Sequence, residues 1–344
     1  MKRILPVLVL LALLAAACTP AEQPTPNVPF SPSTPQTPST PETPTQPTQP
    51  EQPEDPSTAV AGLQYLTGYE IPAIDLKDRS ACTSSGQETW GETSWSNYLT
   101  TNEDQQVVTH TYAYNGKQYR NWTALVDKDK KSPLWNAFVM HKVAYPDNNL
   151  GRSGSWTYES GTKNNTDPGI PTDWQRSVAS SDYSRGHFVA SNYRQVTEDA
   201  NWQTFYWTNQ SLQWQNGFNS GVWSSLEMAV VANAPSGRDT LYVVVGLLFE
   251  DPNNIVSTNQ GTQELVASHF YKCLMKCGFD TSGAMTSAKG CAYLFENKAY
   301  SNKESYNSHL TSIDAIEQRS GWDFYANVPK ELQEAAEKQS GALW

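Results

Sequence analysis

Residues 181–227 read SDYSRGHFVASNYRQVTEDANWQTFYWTNQSLQWQNGFNSGVWSSLE, and in them one histidine, His187, directly follows Arg185 and Gly186. Two amide-rich segments come next, TNQSLQ and FNSGVW, and then Glu227. These residue types suit phosphodiester hydrolysis, which needs an in-line nucleophile, neutralisation of the charge growing on phosphate, and a stabilised leaving oxygen. A neutral imidazole, with an ordinary pKa of ~6.5, can take a proton from water at working pH. Arg185 offers the two parallel donors that match a phosphate. Asn219 offers a neutral carbonyl oxygen, suited to a magnesium ion that keeps most of its water shell. Gly186 lets the backbone turn sharply and approach a substrate closely. Glu227 follows Asn219 by about two helical turns, on roughly the same face, where it could orient a metal-bound water. Each residue alone has a plainer reading: a structural histidine, an Asn-x-Gly turn, a solvated helical glutamate. The other histidines (His110, His141, His269, His309) show no HxH or HExxH spacing.

Elements that would hold these residues follow from periodicity. Residues 107–114 alternate like a half-buried strand, and 135–145 contain another. Residues 149–171, rich in Gly, Ser, Asn and Thr, predict a long surface loop. Short strands are expected at 188–191 and 204–209, and a helix at 219–232, where Val222, Leu226, Ala229 and Val230 recur at helical spacing. Residues 241–249, LYVVVGLLF, predict a buried strand. Near the end, TSID opens a helix with Thr311 as its cap, and Gly321 closes it. Strands and helices interleave without regular βαβ alternation, which predicts an α+β domain.

In order and spacing, the motifs SRGH, TFYWTNQSLQ and FNSGVWSSLE resemble the DRGH, TFYLSNxxPQ and FNxGxWxxLE motifs of the DNA/RNA non-specific endonuclease family, the ββα-metal nucleases. The resemblance continues through LYVVVG, SHFYK and IEQRSGWDFY, so it covers about residues 109–333. It implies a ββα-metal (His-Me finger) nuclease fold, with a central, mainly antiparallel sheet flanked by helices and the ββα unit at about 188–232. It also implies a metal-dependent endonuclease acting on DNA and/or RNA, with His187 as general base and Asn219 as the sole direct protein ligand of Mg2+; Mn2+ or another divalent cation is the alternative. Arg185, Asn209 and Gln213 are then expected at the substrate, and Glu227 at the metal's water cluster. Two departures stand out. The aspartate of DRGH is Ser184, with Asp182 two places earlier, and the proline of the PQ pair is Leu212.

The ends of the chain speak to location. Lys2 and Arg3 precede an uncharged, mostly apolar run to Ala17, too short to span a bilayer but suited to an export signal. Small residues lead directly to Cys18, a pattern similar to a bacterial lipoprotein signal over residues 1–18, although Ala15 stands where leucine is usual. The expectation is an exported domain held at a bacterial membrane or cell surface by a lipid on Cys18; plain secretion is the alternative. Residues 19–58 are almost entirely Pro, Thr, Ser, Gln and Glu, with proline at every third position from Pro26 to Pro56. That composition predicts a solvated polyproline stalk rather than a packed core. Residues 59–344 form the expected catalytic domain, with no obligate protein partner and no oligomeric state evident from sequence.

Four cysteines follow Cys18: Cys82, Cys273, Cys277 and Cys291. In an exported chain they predict two disulfides. A hairpin centred near Met285 would pair Cys277 with Cys291 and leave Cys82 for Cys273. No cysteine–histidine cluster suggests zinc. The charge is −11, becoming −13 once Lys2 and Arg3 are lost; the five stalk acids (Glu22, Glu42, Glu51, Glu54, Asp55) leave about −8 on the domain. That argues against a tight nucleic-acid binder more than against a hydrolase with a local cationic groove. Twelve tryptophans and seventeen tyrosines also permit rival readings: a surface-tethered glycan-binding lipoprotein, or an inactive adhesive one.

Overall fold

The computed structural model describes residues 68–72, 87–90, 93–96, 98–100, 105–156, 182–257 and 263–344, all within the unit Glu51–Trp344. The leader with Cys18, the stalk, Cys82 and residues 157–171 of the expected loop lie outside the described residues. Strands β1 (Gln87–Trp90) and β2 (Thr93–Ser96) pair as a small ribbon. The main sheet uses β3 (Tyr98–Thr100), β4 (Gln105–Tyr114), β5 (Lys117–Asp127) and β6 (Ser132–Met140). A separate ribbon pairs β7 (Tyr183–His187) with β8 (Gln210–Trp214). Then come β9 (Thr240–Leu248), a short β10–β11 ribbon (Ile255–Ser257, Gln263–Leu265), β12 (His269–Phe279), β13 (Met285–Glu296) and β14 (Leu310–Thr311). Helices are α1 (Glu198–Trp202), α2 (Ser224–Ala232), α3 (Ile313–Ser320) and α4 (Lys330–Glu337).

Eight strands form one sheet in the order β14-β13-β12-β9-β6-β5-β4-β3, with every neighbouring pair antiparallel. With helices on its faces, this is an α+β fold. Strands β6 and β9 are buried along their whole length, because both faces of the sheet are covered. That double burial explains why LYVVVGLLF is continuously apolar instead of alternating. On one face, Val243, Val245, Phe270 and Phe295 pack against Phe188, Phe218, Trp223 and Leu226 of the β7–β8–α2 unit. On the other, Tyr242, Val244, Tyr271 and Cys273 pack against Ile313, Ile316 and Ala336 of the C-terminal helices and Phe324 and Tyr325 of the turn between them. Among the described residues, no helix is long and apolar enough to cross a membrane.

Several expectations shift by a few residues, each for a local reason. No strand forms at 188–191: β7 ends at His187, and Phe188 onward leaves the ribbon and enters the core. Residues 204–209 curl into two short 3-10 turns, and the strand begins at Gln210. The helix expected from Asn219 begins at Ser224, since Gly221 (φ −129°, ψ −109°) interrupts the wide turns of Gln215–Trp223. Ser312, not Thr311, caps α3: its hydroxyl accepts from Ala315 N at 3.1 Å, while Thr311 pairs with β13. Gly321 closes that helix at φ 77°, as expected of a residue without Cβ.

The Cys277–Cys291 disulfide does not form. The β12–β13 hairpin turns near residue 282, so Cys277 pairs with Ala288 and Cys291 with Leu274. The side chains of Cys273 and Cys277 enter one core and Cys291 the other, on opposite faces of the sheet. A disulfide cannot bridge through the sheet. All three thiols are free and buried, and burial pushes each above its ordinary pKa.

On α3 and α4, carboxylate oxygens of Asp314, Glu317 and Glu337 lie within 4.8 Å of one another. Burial first, and neighbouring acids second, push Glu337 up to about 8; burial, with Asp323 and Asp314 nearby, pushes Glu317 up to about 7. These acids hold protons when folded that the unfolded chain releases near 4.5, so stability falls as pH rises from about 4.5 to 8. Glu337→Gln should flatten that slope while keeping the melting temperature at pH 5, measured by thermal unfolding across the range.

Candidate active site

His187 is the last residue of β7, opposite Gln210. Its ring is half-buried between aromatic neighbours, with centroids 4.5 Å from Trp156 and 5.2 Å from Phe205. Nε2 is buried without a hydrogen-bond partner. Burial, and secondarily the nearby Arg152 guanidinium, push the imidazole down to about 3, so it is neutral across ordinary pH. Despite its aromatic packing, His187 lines a cavity of about 520 Å3 together with Asn219, Glu227 and Arg152. The general-base and metal-ligand candidates therefore meet at one site.

Two amides build this geometry. Asn209 was expected at the substrate, yet it is fully buried and its side chain is committed to the protein itself. Its Oδ1 accepts from Val189 N at 2.9 Å and Asn136 Nδ2 at 3.0 Å, while Nδ2 donates to the carbonyls of Val189 (2.9 Å) and Thr204 (2.7 Å). The amide thus fixes the chain two residues beyond His187 and leaves nothing for a ligand. Gln213, also expected at the substrate, is likewise fully buried. It accepts from Asn219 Nδ2 at 2.5 Å, which turns the donor end of Asn219 inward and leaves Oδ1 available to the cavity.

Gly186 acquires a different reason from the one spacing suggested. A Cβ there would lie 2.3 Å from Gln213 Oε1 and 2.6 Å from Gln213 Cβ. Glycine makes room for the amide that holds Asn219, rather than for a substrate. Ser184, in place of the motif's aspartate, pairs with Gln213 across the ribbon and donates to its carbonyl at 3.3 Å.

Charges surround the cavity unevenly. Arg185 is exposed outside the cavity wall, its guanidinium 5.9 Å from the Trp156 and Trp207 ring centroids. Arg152 is the cation on the wall itself, 4.7 Å above Phe205. Only its place in a Gly/Ser-rich loop was visible in the sequence, and nothing in the spacing marked it. Glu227 accepts from Trp223 Nε1 at 3.0 Å. Burial raises its carboxyl, opposed by the buried Lys272 ammonium, which sits 4.3 Å over the Trp223 ring and donates to Tyr193 Oη at 3.2 Å. Lys272 belongs to the SHFYK motif, whose composition gave no hint of a buried charge. The aromatics Phe205, Tyr206 and Trp207 are buried in packing and form no exposed platform for sugars.

A model of the DNA/RNA non-specific endonuclease family matches residues 103–331. Nuclease C1 of Cunninghamella echinulata var. echinulata is 28% identical over 184 residues, covering 51% of this chain and 70% of that protein. The mitochondrial Endonuclease G of Caenorhabditis elegans is 26% identical over 173 residues, 48% of this chain and 54% of that one. A nuclease of Nostoc sp. is 26% identical over 196 residues, with 54% and 69% covered. A crystal structure of the EndoG/EndoGI complex aligns at a TM-score of 0.48 and 17% identity, over 78% of this chain and 94% of that one.

Gly186→Ala should destabilise the protein by about 1–3 kcal/mol, the usual cost of overpacking. Chemical denaturation measures it, and a wild-type-like curve would contradict the close approach to Gln213.

Proposed function

Because the chain belongs to the DNA/RNA non-specific endonuclease family, we propose that it hydrolyses phosphodiester bonds of DNA and/or RNA with His187 as general base and Asn219 holding a magnesium ion, manganese being the alternative. The observation that carries this reading is the convergence of His187 and Asn219 on one cavity. The donor set fits a hard cation: one neutral carboxamide oxygen, with the carboxylates of Glu227 and Asp147 on the same wall for its hydration shell. A divalent cation at Asn219 supplies neutralisation of phosphate charge and stabilisation of the leaving oxygen. Everything else falls to side chains. His187, neutral and with Nε2 unpartnered, takes the proton of the attacking water. Arg152 disfavours the protonated ring. A phosphate bound against Arg152 offsets that charge, so proton transfer becomes easier once substrate is in place. Arg152 and Arg185 grip phosphate oxygens, and Glu227, whose carboxyl burial pushes up against the opposing pull of the Lys272 ammonium, orients water. The domain's overall acidity favours release over retention. Export and a lipid on Cys18 complete the reading.

Plasmid DNA and RNA digestion by the full chain tests it. Cleavage is expected with magnesium, none with EDTA, and a loss of about 10²–10⁴-fold for His187→Ala. Asn219→Ala should recover partly in excess magnesium; equal recovery of His187→Ala would overturn the division of roles. With the imidazole pushed down to about 3, the acid limb of kcat/KM should lie well below the ordinary histidine value, and Arg152→Ala should move it upward. A limb at ~6.5 in the wild type would contradict the burial of the base.

A further inference from the structure

Beside the catalytic cavity lies a second one of about 300 Å3, at the small end of the roughly 300–1,000 Å3 range of ligand sites. The two share Asp147, Asn192 and Gln195. Carbon dominates its walls, which include Tyr145, Tyr193 and Ala234. Both tyrosine hydroxyls are used elsewhere: Tyr145 Oη donates to the Arg120 carbonyl at 2.9 Å, and Tyr193 Oη accepts from Lys272. They therefore line the cavity with ring carbon. Lys142 donates to the Ala232 carbonyl at 3.0 Å, and both ring nitrogens of His141 are engaged by backbone.

At the junction of the two cavities stands Gln195, 9% exposed. Its Nε2 donates to the Ser191 carbonyl at 3.0 Å, which fixes the amide's orientation, and its Oε1 has no partner. A buried acceptor without a donor is costly unless a ligand supplies one. Its segment is firmly held, since Arg194 donates to the carbonyls of Asn121 and Val139, and Asn148 N donates to the Gln195 carbonyl.

We propose that this smaller cavity is a nucleobase subsite, receiving the base next to the scissile phosphate, against Tyr145 and Tyr193, with a base N–H donated to Gln195 Oε1. The inference rests on the nuclease reading and deepens it. Every base offers such a donor: the amino groups of adenine, cytosine and guanine, or the ring N–H of guanine, thymine and uracil. One acceptor therefore favours the presence of a base over its absence without choosing among the four. The base must leave its stack, which costs least in an unpaired strand, so single strands should be cut faster than duplexes of the same sequence.

The test is end-labelled single-stranded DNA carrying one tetrahydrofuran abasic residue, cut by the full chain with magnesium. Bonds remote from the lesion should be cut normally, and one bond flanking it about tenfold or more slowly. Gln195→Leu, and Ala234→Phe filling the cavity, should make the ladder uniform by slowing intact positions; if Ala234→Phe fails to melt cooperatively, Gln195→Leu decides alone. Equal wild-type cutting on both sides of the lesion overturns the subsite and leaves the nuclease reading intact. A lesion effect that survives Gln195→Leu overturns the assignment to this cavity. No cutting of any strand overturns both readings.

Discussion

The close approach of Gly186 and Gln213 across a two-stranded ribbon is the constraint on which the site depends. Without a Cβ at 186, the Gln213 amide lies flat against the backbone one residue before His187 and reaches Asn219. One contact thereby ties the imidazole-bearing strand to the turn that carries the carboxamide. Asn209 secures the other side by occupying the backbone groups of Val189. Neither amide lines the cavity, and both are fully buried. Placing a base and a cation ligand on separate elements demands such rigid intermediates, because small errors in their separation carry large rate penalties.

The legible parts of the chain are those in which one physical effect dominates. LYVVVGLLF reads correctly as a buried strand because burial on both faces leaves no other sensible composition. The group His187, Asn219 and Glu227 could be assembled from order and spacing, and all three line one cavity. Side-chain hydrogen bonds to backbone were invisible. Residues 204–209 have strand-like composition, yet Asn209 draws in the Thr204 carbonyl and the segment curls. Strand register was equally hidden: the hairpin centre moves by only a few residues, and Cys277 and Cys291 fall on opposite faces. Arg152 and Gln195 come from segments without periodicity and reach the cavities through tertiary contacts alone.

Local and global electrostatics point in opposite directions in this molecule. The chain is strongly acidic, but Arg152 and Arg185 stand near the imidazole, each stacked on aromatic rings. Beneath them Lys272 is enclosed entirely, with Glu227 as the acid that acts on it. Buried cations of this kind are tolerated only with fixed partners, and removing one partner costs about 3–5 kcal/mol. The wall of the site is thus a set of interdependent charges rather than a diffuse basic patch.

Buried charge also fixes where the folding unit starts. Glu70 is completely enclosed, paired with Arg120 and facing Arg194, and Gly68 beside it accepts from Asn327 Nδ2 at 3.0 Å. It lies more than thirty positions upstream of the region matched by the family model, which begins at residue 103. A piece cut at that boundary would leave two guanidinium groups sealed in the interior without their carboxylate. The autonomous module therefore includes a short N-terminal strap that sequence similarity alone would discard.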